Sequence, residues 1–130
     1  MVRANSSREN YLTLVSNGEF TLPADTTADK GGGGQGFRPH DLLEAALASC
    51  LNISLRMAAE KLGVGLDQVS VSVSLNRNAP EGPSFACEVS FPPSLSLADR
   101  TSLLAAVESC PVKTTLSKPL HFNLTQATPC

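Results

Sequence analysis

Apolar and polar positions alternate in "ENYLTLVSNGEFTL", on both sides of Asn17-Gly18, and break at that dipeptide. Alternation of period two marks half-buried strands, and Asn-Gly supplies the positive φ angles of a tight turn. Residues 1–22 are therefore expected to form an N-terminal hairpin. The stretch "PADTTADKGGGGQGF" that follows has no period. It could cradle a phosphate, but it lacks the Lys-Ser/Thr ending of a P-loop and the spacing of a dinucleotide fingerprint. A flexible connector over residues 23–38 is expected.

From Pro39 the period changes to that of a helix. "PHDLLEAALASCLNISLRMAAEKL" opens on a proline, which loses nothing at a first helical position, and is followed by Gly63 and Gly65. Asp41 and Glu44 in the first turns and Lys61 in the last suit the helix dipole, so a helix is expected over 39–62. "DQVSVSVSLNR" and "FACEVSF", joined by "APEGPS", predict a second hairpin over 68–91. Ser96 and Asp99 frame a capping box for a helix over 97–110 that ends at Cys110. "VKTTLS" reads as a short turn or helix, and the alternation of "LHFNLT" predicts a last strand over 119–126.

The predicted class is α+β, an antiparallel sheet with helices segregated from it, in one domain over 1–130. Ten basic and twelve acidic residues, in no run of either sign, give a net charge of −2. That balance argues against a nucleic-acid or membrane-surface footprint. The opening "MVRANSSRENY" lacks the apolar stretch of a signal peptide, and no segment is expected to span a bilayer. The expected location is the cytoplasm.

The chemistry candidates are cysteines. Cys50, Cys87, Cys110 and Cys130 are widely spaced, no C-x-x-C occurs, and His40 and His121 fall in no zinc-finger spacing, so no metal is expected. At about 100° per residue, Leu43, Ala46, Leu47, Cys50, Ile53 and Met57 share one arc of the helix. The other side, with Ala45, Ala48 and Ala59 beside Asp41, Asn52 and Arg56, is not strongly polar. A helix so apolar all round is expected to be enclosed, by sheet or by a partner subunit, with Cys50 buried. Cys110, just before Pro111, stands where the N-cap of a following helical turn would lie. Backbone N–H groups there lower a thiol's pKa from about 8.5. Both cysteines could equally be inert, since free cysteine packs as a small hydrophobe. Cys87 is read as core or sheet surface, and Cys130 as a terminal residue in solvent.

"GFRPHDLLEAALASCLNISLRMAAEKLGV" resembles the central segment of the OsmC/Ohr family (osmotically inducible protein C and organic hydroperoxide resistance proteins). "ESCPVKTTLS" resembles the family's second motif, a C-P-V at the end of a helix. The resemblance implies an intertwined homodimer, with a mixed, mostly antiparallel sheet wrapped around central helices and two active sites at the interface. It implies a thiol peroxidase acting on hydroperoxides without cofactor. Cys50 would be the peroxidatic thiol, Cys110 the resolving thiol, and a dithiol of dihydrolipoyl type the reductant. An arginine would stabilise the thiolate and polarise the peroxide: Arg8 is the first choice, Arg3 stands behind it, and Arg38 is a local substitute. Asp41 would be the carboxylate that orients it. Phe37, Arg38 and His40 are the expected substrate-binding residues, with Phe122 a further candidate wall, and Arg56 is read as structural.

The chain departs from the family pattern in three places. His40 follows the proline where the hydroperoxide-resistance branch has its acid, Asp41 is shorter than the usual Glu, and "CPVK" replaces C-P-V-H. Three rival readings use the same residues. A redox-responsive or ligand-binding protein would keep the fold without turnover. A structural domain would keep both thiols inert. A cysteine hydrolase would pair Cys50 with His40, but ten residues along a helix separate them by about 15 Å.

Overall fold

A computed structural model describes residues 1–128, so Cys130 lies outside the described residues. The chain builds two compact units, one from Met1–Ser49 and Val71–Val89, the other from Cys50–Ser70 and the chain from Ser90 onward. In the first unit, β1 (Arg3–Ser6), β2 (Thr13–Ser16) and β3 (Thr21–Ala24) form an antiparallel sheet in that order. The sequence pattern led to two strands here. The extra one, β1, reads Arg-Ala-Asn-Ser and is exposed throughout, so no hydrophobic alternation marks it. Between β2 and β3, Gly18 takes a φ of +101°, and the Asn17 side-chain oxygen accepts the N–H groups of Glu19 and Phe20. The strands β4 (Ser70–Asn76) and β5 (Ser84–Ser90) pair in a separate two-stranded sheet. A connection this short requires them to be antiparallel. In β4 the Ser residues are exposed while Val71, Val73 and Leu75 are half-buried, as the alternation requires.

The Gly-rich segment 23–38 is built rather than loose. The Asp25 backbone N–H donates to the Phe37 carbonyl (2.9 Å), and Ala24 pairs with Phe37 as an isolated parallel bridge. Asp25 itself is buried, and its carboxylate accepts the N–H groups of Thr26 (2.7 Å) and Gln35 (3.1 Å). A short 3-10 turn, Ala28–Lys30, lies between. Two glycines are there for space: a Cβ on Gly32 would stand 2.2 Å from the Thr26 carbonyl oxygen, and one on Gly36 2.4 Å from that of Pro23. A flexible connector is thus replaced by a folded loop held by one carboxylate.

The helix α1 covers Pro39–Leu62 and is followed by Gly63 at a φ of +67°. Its 24 residues, with a mean hydropathy of 1.3 over an 18-residue window, make it long and apolar enough to cross a bilayer by length and composition. The expectation that no segment approaches such a length is corrected on that criterion alone: six leucines and Ile53, with the alanines, raise the hydropathy of a core helix. In this protein one stripe of that helix is core, since Leu47, Leu51, Leu55 and Ala59 are buried.

The second unit adds α2 (Leu97–Ala106) and α3 (Pro111–Leu116). Ser96 caps α2, its hydroxyl accepting the Asp99 N–H at 3.1 Å. The core of this unit comprises Leu51, Leu55 and Ala59 of α1 with Leu95, Leu103, Val107 and Cys110. The helix expected over 97–110 stops at Ala106, and a turn separates it from Cys110, whose N–H donates to the Val107 carbonyl. Pro111 cannot donate to a preceding turn and instead opens α3. The strand expected over 119–126 is not present: the described residues beyond Ser117 hold no helix or strand. Its alternating Leu120, Phe122 and Leu124 are 51%, 89% and 100% exposed, so the pattern is there but none of the described residues pairs with it.

Candidate active site

Cys50 begins the part of α1 that belongs to the second unit, and Cys110 is the residue that caps α3. The two thiols meet. The Cys110 Sγ donates to the Cys50 Sγ across 2.9 Å, with both cysteines free. Their environments differ. Cys110 is 2% exposed, whereas Cys50 is only half-buried. Within the single chain, then, neither sheet nor helix encloses Cys50, and of the two enclosures expected only that by a partner subunit is left open. The arc that carries Cys50 also carries Leu43, Ile53 and Met57, which are 42%, 46% and 60% exposed. The buried stripe lies to one side of it.

The electrostatics of the pair are asymmetric. For Cys50, burial is the largest single influence and raises the pKa, but hydrogen bonds from the Cys110 thiol, the Val112 backbone N–H and the Ser54 hydroxyl outweigh it. The net effect is a thiol below its ordinary value. For Cys110, burial and its own donation to Cys50 push the thiol up, against the weaker pull of the Lys113 and Val112 N–H groups. Negative charge is thus favoured on Cys50 and the proton is retained on Cys110. The lowered pKa that the N-cap position led us to expect at Cys110 is corrected: burial and donation to Cys50 outweigh the amides there, and the Val112 N–H also acts on Cys50, whose thiol is the lowered one. Ser54 was missed, although four residues on a helix put it one turn beyond Cys50.

Cys110, though not Cys50, borders a cavity of about 360 Å³. Met57, Leu62, Ala106 and Pro111 give it apolar walls, with Ser54 and Lys61 among its polar groups. Lys113, which stands in place of the family's histidine, is turned to the Glu108 carboxylate in an exposed ion pair.

The charged candidates lie in the first unit. Asp41 is held by Arg38: the Arg38 Nη2 donates to Oδ1 at 2.8 Å, Nε to both oxygens, and the Arg38 N–H to Oδ2 at 2.9 Å. Those hydrogen bonds, the side-chain one first, keep the Asp41 carboxyl below its ordinary range and raise the Arg38 guanidinium. Arg8 forms no hydrogen bond or ion pair with Asp41 among the described residues. It is exposed and lines a separate cavity with Glu9, Asn10 and Gln35, so the expected pairing of Arg8 with Asp41 is replaced by the nearer Arg38. Arg3 lies exposed in β1. His40 is exposed and lines a cavity with Arg38, but Phe37 is not among that cavity's walls. Phe37 is 53% and Phe122 89% exposed, and neither forms a wall of the cavity that Cys110 borders. Arg56 bonds through Nε to the Asn52 oxygen, and the Asn52 amide donates to the Val69 carbonyl, a structural link within the second unit. Among the described residues no three of His, Cys, Asp and Glu gather as a metal site. Cys87 is exposed on β5.

An α+β chain with antiparallel sheets and a long helix whose thiol meets a second thiol defines a class of paired-cysteine proteins. This chain belongs to the OsmC family, OsmC-like protein, whose model matches residues 31–125. Similar solved structures include the organic hydroperoxide resistance protein OsmC of Legionella pneumophila, with a TM-score of 0.65 and 23% identity over 90% of this chain and 88% of that one. The OsmC-like protein of Mycoplasma pneumoniae has a TM-score of 0.69 and 18% identity over 89% and 85%. The organic hydroperoxide resistance protein OhrB of Bacillus subtilis has a TM-score of 0.58 and 23% identity over 90% of each chain. These likenesses establish the mixed α+β fold. No curated protein matches the chain in sequence.

Proposed function

We propose that the protein is a thiol peroxidase that reduces organic hydroperoxides through Cys50 and Cys110. The observation that carries this reading is the 2.9 Å contact between a thiol with a lowered pKa and a buried one with a raised pKa. The Cys50 thiolate attacks the peroxide oxygen distal to the organic group; the O–O bond breaks, alcohol leaves after protonation, and Cys50 becomes a sulfenic acid. The Cys110 sulfur then attacks the Cys50 sulfur. A disulfide forms and water carries away the hydroxyl and a proton. Closing from 2.9 Å to a bond of about 2.05 Å needs only a small side-chain movement. A dithiol, of the dihydrolipoyl kind by family likeness, restores both thiols by exchange. The apolar cavity bordered by Met57 and Leu62 suits the organic group of the substrate.

The reading includes a homodimer. Asp41 and Cys50 are nine residues apart on one helix, about 13.5 Å along an ideal axis, too far for Asp41 to position a group at the thiol of its own helix. A second copy can supply that pair, with Arg38 rather than Arg8 polarising the peroxide. The exposed arc of Leu43, Ile53 and Met57 around Cys50 supports such a partner, as does the unpaired alternation of Leu120, Phe122 and Leu124. A reducing cytoplasm would keep the resting pair as thiols.

Steady-state consumption of cumene hydroperoxide with dihydrolipoamide tests the reading. Turnover that is lost in both Cys50→Ser and Cys110→Ser is expected. Oxidation in a single round without turnover would leave a redox-responsive protein instead.

A further inference from the structure

A second cavity of the first unit, about 230 Å³, is bordered by Lys30, Arg38 and Arg77 as well as His40. Three of the ten Lys and Arg residues of a chain with net charge −2 therefore line one small space. They come from three separate places in the sequence: the 3-10 turn, the residue before α1 and the residue after β4. Carboxylates oppose them in part: Asp41 is paired with Arg38, and Glu44 also acts on that guanidinium. Glu44 is the only acid on its walls, and one of its oxygens accepts the Leu75 N–H at 2.8 Å. Asp41 engages Nε and Nη2 of Arg38, leaving Nη1 without a hydrogen bond among the described residues. Neither Lys30 nor Arg77 forms an ion pair among the described residues, and Thr26 adds a hydroxyl. Asp29, next to Lys30 in sequence, is held below its ordinary range first by the Thr27 hydroxyl and in small part by the Lys30 charge.

We infer that this cavity binds the phosphoryl group of a small anionic ligand. A phosphoryl dianion has three acceptor oxygens and about two charges, which match three cationic side chains better than a single carboxylate does. The loop that supplies Thr26 and Lys30 carries no P-loop spacing. The site is made instead by folding three distant cations onto one wall. It goes beyond the peroxidase reading and does not depend on it: neither cysteine takes part, and Arg38 is the one residue common to both.

The probe is inorganic phosphate, titrated calorimetrically into the reduced Cys50→Ser protein at physiological salt, so that no thiol chemistry contributes. Saturable binding of one phosphate per chain is expected, tighter than that of acetate. Arg77→Ala and Lys30→Ala should each weaken it about tenfold or more, as for loss of one charge-assisted hydrogen bond. Arg56→Ala, which removes a cation elsewhere, should leave it unchanged. Circular dichroism confirms that each variant is folded. Absence of saturable binding, equal weakening by Arg56→Ala, or tighter binding of acetate than of phosphate would each overturn the assignment.

Discussion

At Cys50 and Cys110 the same chemical group titrates in opposite directions within 2.9 Å. The cause is direction of donation: the buried Cys110 gives its hydrogen, and Cys50 receives it along with the Val112 N–H and the Ser54 hydroxyl. Alkylation by iodoacetamide should therefore show Cys50 reacting first, with a pH inflection below that of an ordinary thiol, while Cys110 inflects above it. Reactivity of Cys50 rises as pH rises through its lowered value and is lost below it. Ser54→Ala should move that inflection upward and slow labelling at neutral pH about fivefold, the worth of one ordinary hydrogen bond. The helical turn was legible in the chain, because Pro111 after Cys110 marks its start, but the lowered pKa was expected on Cys110 and falls on Cys50. The acceptor of the turn's amides was not legible, since that depends on where α1 lies in the second unit. The Arg38–Asp41 pair was legible as an i, i+3 spacing, and a distant Arg8 was preferred to it only on family likeness.

Among the elements, those with their own local cause were the readable ones. Ser96 caps α2 through the Asp99 N–H, and Ser96→Ala should cost about 1 kcal/mol in urea unfolding. Leu103, with no exposed surface, fills the core of the second unit; Leu103→Ala should cost about 2–5 kcal/mol. The loop from Ala24 to Phe37 was read as loose because its glycines hide the one residue that orders it. The N–H groups of Gln35 and then Thr26 hold the Asp25 carboxyl below its ordinary 3.8. The sign follows from that direction. The contribution of Asp25 is complete above 3.8 and is lost as pH falls through the lower folded value. Acid unfolding of Asp25→Asn should accordingly be less steep in that range, measured by circular dichroism. Alternation in "LHFNLT" led to a strand that the structure does not form, because a strand also needs an edge to pair with, and the sequence carries no record of where such an edge is.

For the molecule as a whole, the unmatched surfaces carry the account. The arc of α1 around Cys50 and the alternating C-terminal segment both leave apolar side chains in solvent, which a second copy would cover. Sedimentation should give a dimer, and Phe122→Asp should shift it toward monomer and reduce turnover together. The α+β class could be read from the order of periodicities, because each sheet and helix announces its own period. The division into two compact units could not, because α1 continues through the boundary between Ser49 and Cys50 without a break in pattern. The most direct test of the central claim is mass spectrometry of the reduced protein after one equivalent of cumene hydroperoxide, with peptide mapping. A loss of two hydrogens that maps to a Cys50–Cys110 disulfide, and is absent in Cys50→Ser, is the predicted result. An unchanged mass, or oxidation confined to Cys87 or Cys130, would contradict it.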